Sequence, residues 1–163
     1  MKSVILFRHG KASFDKIFLN DHERTLENQG VKEAEKMGKC LFEKNEIPDL
    51  VISSTATRAK STAEAAMKKG EWKCPITFNN IIYSGSTSDL LILIKEQNDK
   101  YDSICMVGHE PKFSNFVDLS TNKEHTFFST ATVAKIDFDM PKWSLIEFGF
   151  GNLDWLISPK ELK

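Results

Sequence analysis

Hydrophobic positions along the chain form short apolar runs separated by longer stripes with helical spacing. Three runs have the length of buried strands: Val4–Phe7, Leu50–Ile52 and Ile104–Val107. A weaker run at Ile76–Phe78 predicts one further strand. Between these runs, apolar residues recur at spacings of three and four, which is the stripe of an amphipathic helix. The first stripe is Val31, Ala34, Met37 and Leu41.

Three more helices follow from the same pattern. The second stripe is Ala59, Ala63, Ala66 and Met67. Polar residues ahead of the stripes are predicted N-caps, namely Ser53, Ser54 and Thr55 before the second helix and Ser86, Thr87 and Ser88 before the third. Pro111 suits the first turn of a fourth helix.

The C-terminal part has a different pattern, in which Ala131–Phe138 and Ser144–Phe150 predict two adjacent strands. Phenylalanines near these strands are expected to pack against them: Phe127, Phe128, Phe138, Phe148 and Phe150. Strands that alternate with helices predict an α/β fold with a mostly parallel sheet covered by helices in an α/β/α sandwich. The last two strands are expected to extend the sheet antiparallel. A length of 163 residues favours a single domain, residues 1–163.

Composition then removes several classes of protein. With 22 Lys and Arg against 23 Asp and Glu, the net charge of −1 argues against a nucleic-acid binder or a polybasic membrane adaptor. The three cysteines form no CxxC pair, which excludes zinc-ribbon and thioredoxin-like sites. The apolar run before Arg8 is too short for a signal peptide, and Leu90–Ile94 is far too short to span a membrane. We therefore expect a cytoplasmic protein with no membrane partner.

Chemistry-bearing side chains follow three of the predicted strands. In open parallel sheets, ligands bind beyond the carboxyl ends of the strands. The segments expected to converge there are Arg8–Gly10, Ser53–Arg58 and Gly108–Pro111. Together they bring two arginines, Arg8 and Arg58, and two histidines, His9 and His109, to one edge of the sheet.

This set of residue types favours a phosphoryl site. The planar donor fork of arginine matches phosphate oxygens, and two such forks indicate an oxyanion with several oxygens. A neutral imidazole is a competent nucleophile that forms covalent intermediates. A second imidazole can donate hydrogen bonds where charge develops. The chemistry requires no metal and no cofactor.

The Arg8–His9–Gly10 motif resembles that of the histidine phosphatase superfamily, and further segments resemble its SixA-like phosphohistidine phosphatase branch. These segments follow in the same order along nearly the whole chain: Arg24–Gly30, Ser53–Ala59 with Thr62 and Ala63, Val107–Pro111, Ser129–Ala131, Trp143 and Ser158–Lys160. The tripeptide alone is a weak signal, but several segments in order make a strong one. The resemblance implies the phosphoglycerate mutase-like fold.

The resemblance also implies roles for individual residues. His9 would be the nucleophile and would become a transient phosphohistidine. Arg8 and Arg58 would clamp the phosphate, and His109 would complete the pocket. Arg24 would line its entrance and contribute to substrate binding.

Departures from the family pattern narrow the expected substrate. Thr25 and Thr55 stand where the family often has proline, and Ser61 where it often has glutamine; these changes should affect loop stiffness more than chemistry. Mutase-like branches carry an acidic residue after the third strand, whereas residues 79–88 contain no Asp or Glu. A labile P–N bond needs less help from a positioned acid than an alkyl ester does. We therefore expect a phosphatase acting on protein phosphohistidine or another exposed phosphoryl group.

Alternatives remain open at this point. One is a phosphomonoesterase of small metabolites, either sugar phosphates or nucleotides, and another is a non-catalytic phosphoryl-binding module. A cysteine phosphatase is excluded, because no cysteine is followed by arginine five residues later. Phe14 and Phe18 either border the pocket or cover the core. His22 and His125 match no family segment and are expected in loops or on the surface. The oligomeric state is open.

Overall fold

One mixed β-sheet forms the centre of the protein. The structure, a computed structural model, describes residues 1–14 and 20–162. The strands are β1 (Lys2–Arg8), β2 (Leu50–Ser53), β3 (Ile76–Phe78), β4 (Ser103–Gly108), β5 (Val133–Phe138) and β6 (Gly151–Ile157). The helices are α1 (Asn28–Glu43), α2 (Thr57–Lys69), α3 (Ile81–Ser84), α4 (Thr87–Lys95) and α5 (Lys112–Thr121). Short 3-10 helices lie at Asp21–Glu23, Trp143–Leu145 and Pro159–Glu161.

The strand order in the sheet is β3-β2-β4-β1-β5-β6. The first four strands along this order pair in parallel, and β5 and β6 extend the sheet antiparallel. The carboxyl ends of β1, β2 and β4 therefore meet at one edge. This confirms the predicted α/β fold with a mostly parallel sheet.

Strand β1 shows why helices cover both faces of the sheet. Val4 and Leu6 point into one hydrophobic core and Ile5 and Phe7 into the other, and all four are fully buried. Such a continuous apolar run is expected of a strand with no solvent-facing side. Side chains from α3, α4 and α5 pack in the first core, and those of α1 and α2 pack in the second.

Helices α1 and α2 approach each other closely because their facing residues are small. A Cβ atom added to Gly38 would lie 2.1 Å from the backbone oxygen of Ala66. Ala34 of α1 and Ala59 and Ala63 of α2 are likewise fully buried in this core. Backbone-to-backbone contact of this kind leaves no room for a larger side chain, so the two helices behave as one packed unit.

Two predictions of local structure were wrong. The N-cap of α2 is Ala56, which makes no side-chain cap bond, whereas Ser54 and Thr55 turn their hydroxyls to other partners described below. The last strand is β6, not Ser144–Phe150. Trp143 and Ile146 are buried in the core on that stretch, so the chain rejoins the sheet only at Gly151.

Some smaller predictions had mixed outcomes. The Ser86 cap of α4 is confirmed and forms a reciprocal capping box with Asp89. Pro111 occupies the N-cap position of α5 rather than its first turn. Phe127 and Phe150 were expected to pack against the last strands but are largely exposed. Within the described ranges, no helix is both long enough and apolar enough to cross a bilayer.

We predict that Gly38→Ala lowers the free energy of unfolding by about 1–3 kcal/mol, the usual cost of overpacking a core. The added methyl would force α1 away from α2. The measurement is urea unfolding, with Lys39→Ala, an exposed neighbour on the same helix, as the control. That control should change stability by less than about 0.5 kcal/mol. Equal stability of the Gly38 variant and the wild type would contradict the packing argument.

Candidate active site

The loop that follows β1 is fixed by its neighbours on both sides. The backbone N–H of His9 donates to Gly108 O (3.0 Å), and the N–H of Ala131 donates to His9 O (3.0 Å). A Cβ atom on Gly10 would lie 2.6 Å from Gly30 O, so the loop rests directly on the first turn of α1. The Gly10 N–H also donates to Thr62 Oγ1 on α2 (3.0 Å). The loop is therefore held by β4, α1 and α2 at once.

His9 is held in one ring orientation by hydrogen bonds at both ring nitrogens. Its Nδ1 lies 2.7 Å from Gly10 O, an acceptor, so Nδ1 carries the ring hydrogen. The lone pair then lies on Nε2, which faces the Nε–H of Arg58 at 3.3 Å. Burial is the main cause that lowers the pKa of His9 to about 4; the bond to Gly10 opposes this effect, and the cations of Arg58 and Arg8 add to it. The ring is neutral at pH 7.

His109, at the end of β4, lies beside His9. The two ring centroids are 5.2 Å apart, and His109 is buried. His109 Nε2 is 2.8 Å from Ser54 Oγ, which already accepts a bond from the Ala56 N–H. Burial, followed by the proximity of His9, lowers the pKa of His109 to about 3. Its Nδ1 is buried and has no hydrogen-bond partner among the described residues.

Arg8, the residue before His9, is anchored by the backbone of Phe128. Its Nη1 donates to the backbone oxygen of Phe128 at 2.9 Å, and its Nε is buried without a partner in the described part of the chain. Buried polar atoms are normally paired, so this N–H, on the residue that precedes His9, is a candidate donor to an acceptor that the described residues do not supply.

Arg58, in the first turn of α2, has a carboxylate partner that the sequence analysis missed. Its Nη1 donates to Asp21 O (2.7 Å) and its Nη2 to Asp21 Oδ2 (2.8 Å). Arg58 is 6% exposed, whereas the Asp21 side chain is 50% exposed. Asp21 therefore covers the guanidinium from the solvent side.

Asp21 also receives bonds from two other residues around the opening. Arg24 Nη1 donates to Oδ1 (2.9 Å) and the Tyr83 hydroxyl to Oδ2 (3.0 Å). Burial alone would raise the pKa of this carboxyl, but the bonds from Arg24, Arg58 and Tyr83 hold it far below the ordinary value. The only sequence signal for Asp21 was its position three residues before Arg24, and such a spacing is common on surfaces.

The mouth of the site is lined by aromatic side chains. Tyr83 of α3 packs edge-on against His109 (centroids 5.4 Å) and against His22 (4.8 Å). His22 Nε2 lies 2.9 Å from Thr55 Oγ1, so this histidine of the Asp21–Glu23 3-10 helix stands at the mouth. Phe14 is 83% exposed and stacks on the Arg24 guanidinium, with 4.0 Å from its centre to the ring centroid.

The structure thus brings Arg8, His9, Arg58 and His109 together and places Arg24 at the opening. Phe14 lies at the same opening because its ring stacks on Arg24. Phe18 lies outside the described residues. His125 is exposed, as expected, and Glu110 accepts the Ser114 N–H at the start of α5. Within residues 1–14 and 20–162, no group of three or more His, Cys, Asp or Glu side chains is arranged to hold a metal ion.

The chain is similar in sequence and in fold to known proteins. Residues 4–80 match the model of the histidine phosphatase superfamily (branch 1). An uncharacterized chloroplastic protein of Arabidopsis thaliana is 31% identical over 117 residues, which cover 66% of this chain and 54% of that protein. A 2,3-bisphosphoglycerate-dependent phosphoglycerate mutase of Bifidobacterium longum is 38% identical over 66 residues, which cover 39% of this chain and 27% of the mutase. The chain thus spans about half or less of these two relatives.

Among solved structures, the protein histidine phosphatase SixA complexed with tungstate superposes with a TM-score of 0.85. The superposition covers 99% of each chain at 22% sequence identity, so the likeness is one of fold. It confirms the expected fold and, with the family match, the resemblance drawn from the motifs.

We predict that the His9 ring stays neutral in NMR titrations until the pH approaches about 4. In urea the same ring should titrate near ~6.5, the ordinary histidine value. Between these two pH values the unfolded chain binds a proton at His9 that the folded chain does not. The contribution of the neutral His9 ring to the free energy of unfolding is therefore fully present above pH ~6.5 and is lost as the pH drops toward 4. A His9 ring that is protonated in the folded protein at pH 6 would contradict the buried, neutral assignment.

Proposed function

We propose that the chain, whose residues 4–80 match the histidine phosphatase superfamily (branch 1), is a metal-independent phosphatase with His9 as its nucleophile. The observation that carries this proposal is the orientation of the His9 ring. Gly10 O holds the hydrogen on Nδ1, so the Nε2 lone pair points toward Arg58 at the centre of the cationic group. A neutral ring with a directed lone pair is the form that a nucleophile requires.

The reaction takes place in two displacements. His9 Nε2 attacks phosphorus in line, and the N–P bond forms as the bond to the leaving group breaks. Water then attacks the phosphorus of phospho-His9, the N–P bond breaks, and phosphate leaves with His9 again neutral. The low pKa of His9 keeps the ring unprotonated and ready for attack over the whole neutral range.

The remaining residues stabilise the oxygens of the transferring group. Arg58 Nε–H lies beside the attacking nitrogen, and Arg8 Nε and His109 Nδ1 are the buried nitrogens without protein partners. Donors fixed before the reaction need no reorganisation as charge shifts onto the equatorial oxygens. The Ser54 hydroxyl, which contacts His109 Nε2, fixes the ring that would supply one of these donors.

Protein phosphohistidine is the substrate class that we favour. Residues 79–88 contribute no acid to the mouth, and Asp21 is held ionised, so none of these groups is suited to protonate an alkoxide. A phosphoramidate leaves more readily without such a donor. The fold likeness to the SixA histidine phosphatase agrees with this preference.

The decisive experiment is to trap the phosphoenzyme. Mixing the protein with a labelled phosphoryl donor and quenching within milliseconds should give an acid-labile, base-stable label on His9. His9→Ala should remove both the label and turnover, and His125→Ala, a change at an exposed histidine, should keep both. Turnover by wild-type protein without any label would instead indicate direct attack by water.

Arg58→Ala should lower kcat by roughly 10²–10³-fold, the usual effect of losing one preorganised oxyanion donor. The matched control is Lys68→Ala, which removes an exposed cation from the same helix. Thermal melts of both variants check that α2 remains folded. A kcat for the Arg58 variant within threefold of wild type would show that Arg58 does not stabilise the transferring phosphoryl group.

A substrate panel separates the proposed class from a small-molecule phosphomonoesterase. A phosphohistidine peptide is compared by kcat/KM with sugar phosphates, nucleotides and phosphoserine. We expect the phosphohistidine peptide to be preferred. A higher kcat/KM for a sugar phosphate or nucleotide would replace the proposed substrate while leaving the mechanism intact.

A further inference from the structure

Asp21 is a carboxylate at a site built for an anionic substrate, and its hydrogen-bonding capacity is not exhausted. Among residues 1–14 and 20–162, three side chains donate to its two oxygens, namely Arg24, Arg58 and Tyr83. A carboxylate has about four lone-pair positions, so about one acceptor position remains. Half of the side chain is exposed to solvent at the mouth. A group that leaves the site passes this position.

The contacts of Arg58 show that Asp21 need not compete with the phosphoryl group. Asp21 binds Nη1 and Nη2, the outer end of the guanidinium. On the side edge of the guanidinium, the Nε–H donates to His9 Nε2. One guanidinium can therefore hold Asp21 with its end and a phosphoryl oxygen with its side.

The direction of attack places the leaving group near Asp21. His9 is 8% exposed and attacks from the floor of the site, so an in-line leaving group must point outward. At the mouth it meets Asp21 and the rings of Tyr83 and His22, which pack edge-on at 4.8 Å. These rings offer a wall for a flat group, and the carboxylate offers an acceptor beside it.

A carboxylate that remains ionised cannot donate a proton, but it can stabilise one that the substrate already carries. Its three donors hold the pKa of Asp21 far below the ordinary range. The imidazole of phosphohistidine has a second ring nitrogen that can be protonated. In that form the ring is a cation, and a cationic N–H donor is the strongest partner for a carboxylate.

We propose that the Asp21 carboxylate binds the distal ring N–H of a phosphohistidine substrate and stabilises its imidazolium form. This inference rests on the proposed function, and it assigns to Asp21 the preference for P–N over P–O bonds. His9 attacks phosphorus, the P–N bond breaks, and its electron pair returns to the ring nitrogen. The leaving ring departs as neutral imidazole and keeps its distal proton, so no acid of the enzyme is consumed.

An ester gains nothing from this arrangement. An alkoxide or phenolate has no distal N–H to donate to Asp21, and an ionised carboxylate near its departing oxygen is repulsive. Asp21 therefore contributes to one substrate class and not the other. A purely structural role, in which Asp21 only positions Arg58, would affect both classes alike.

The test compares Asp21→Asn with wild type on phosphoimidazole and on p-nitrophenyl phosphate, whose leaving group needs no proton. We expect kcat/KM for phosphoimidazole to fall about 10- to 100-fold more than that for the ester, the scale of a lost charged hydrogen bond. Asp21→Glu, which keeps the anion, should recover much of the P–N preference. Glu23→Gln, on the same 3-10 helix, is the control and should leave the ratio unchanged.

Equal losses on the two substrates would overturn the inference and reduce Asp21 to a positioning residue for Arg58. A loss confined to the ester would also overturn it. Failure of the proposed function has a separate signature, since the wild-type protein would then form no labelled His9 with either substrate.

Discussion

The buried charge of Arg58 is the constraint on which the site depends. A cation removed from water is costly unless a carboxylate and well-placed acceptors surround it. Asp21 meets this requirement from a short 3-10 helix, with its backbone oxygen on Nη1 and its carboxylate on Nη2. Because this pair is fixed, the Nε–H of Arg58 is aimed at His9, and Arg24 and Tyr83 are drawn to the same carboxylate. The floor and the mouth of the pocket are thus parts of one hydrogen-bond network.

This network also explains how a near-neutral protein can concentrate positive charge at the proposed phosphoryl site. The two imidazoles are neutral, since burial lowers the pKa of both. The permanent charges are the guanidiniums, and two of them, Arg24 and Arg58, are paired with Asp21. The positive charge available to a substrate is therefore concentrated at Arg8 and the inner edge of Arg58. A total charge of −1 for the chain carries no information about this local balance.

Hydrophobic patterns, and the residues that directly follow the strands, were predictable from the sequence. The buried run Val4–Phe7 and the predicted ends of the strands β1, β2 and β4 are enough to place Arg8, His9, Arg58 and His109 at one edge of the sheet. Asp21 was not predictable, because it lies in a polar stretch without periodicity and meets Arg58 37 residues away. The caps of α2 were wrong for a related reason. Ser54 and Thr55 look like cap residues by type, but their hydroxyls contact His109 and His22 across the site.

The close contact between α1 and α2 gives the pocket an uneven stiffness. The Gly10 loop rests on α1 at Gly30, and Arg58 belongs to the first turn of α2. Since backbone touches backbone between these two helices, the His9–Gly10 loop and Arg58 are held by one packed unit. The other wall consists of a three-residue 3-10 helix and the four-residue α3 that carries Tyr83. Any adjustment to ligands of different size must therefore come from that wall, so shape tolerance and catalytic alignment are governed by separate parts of the molecule.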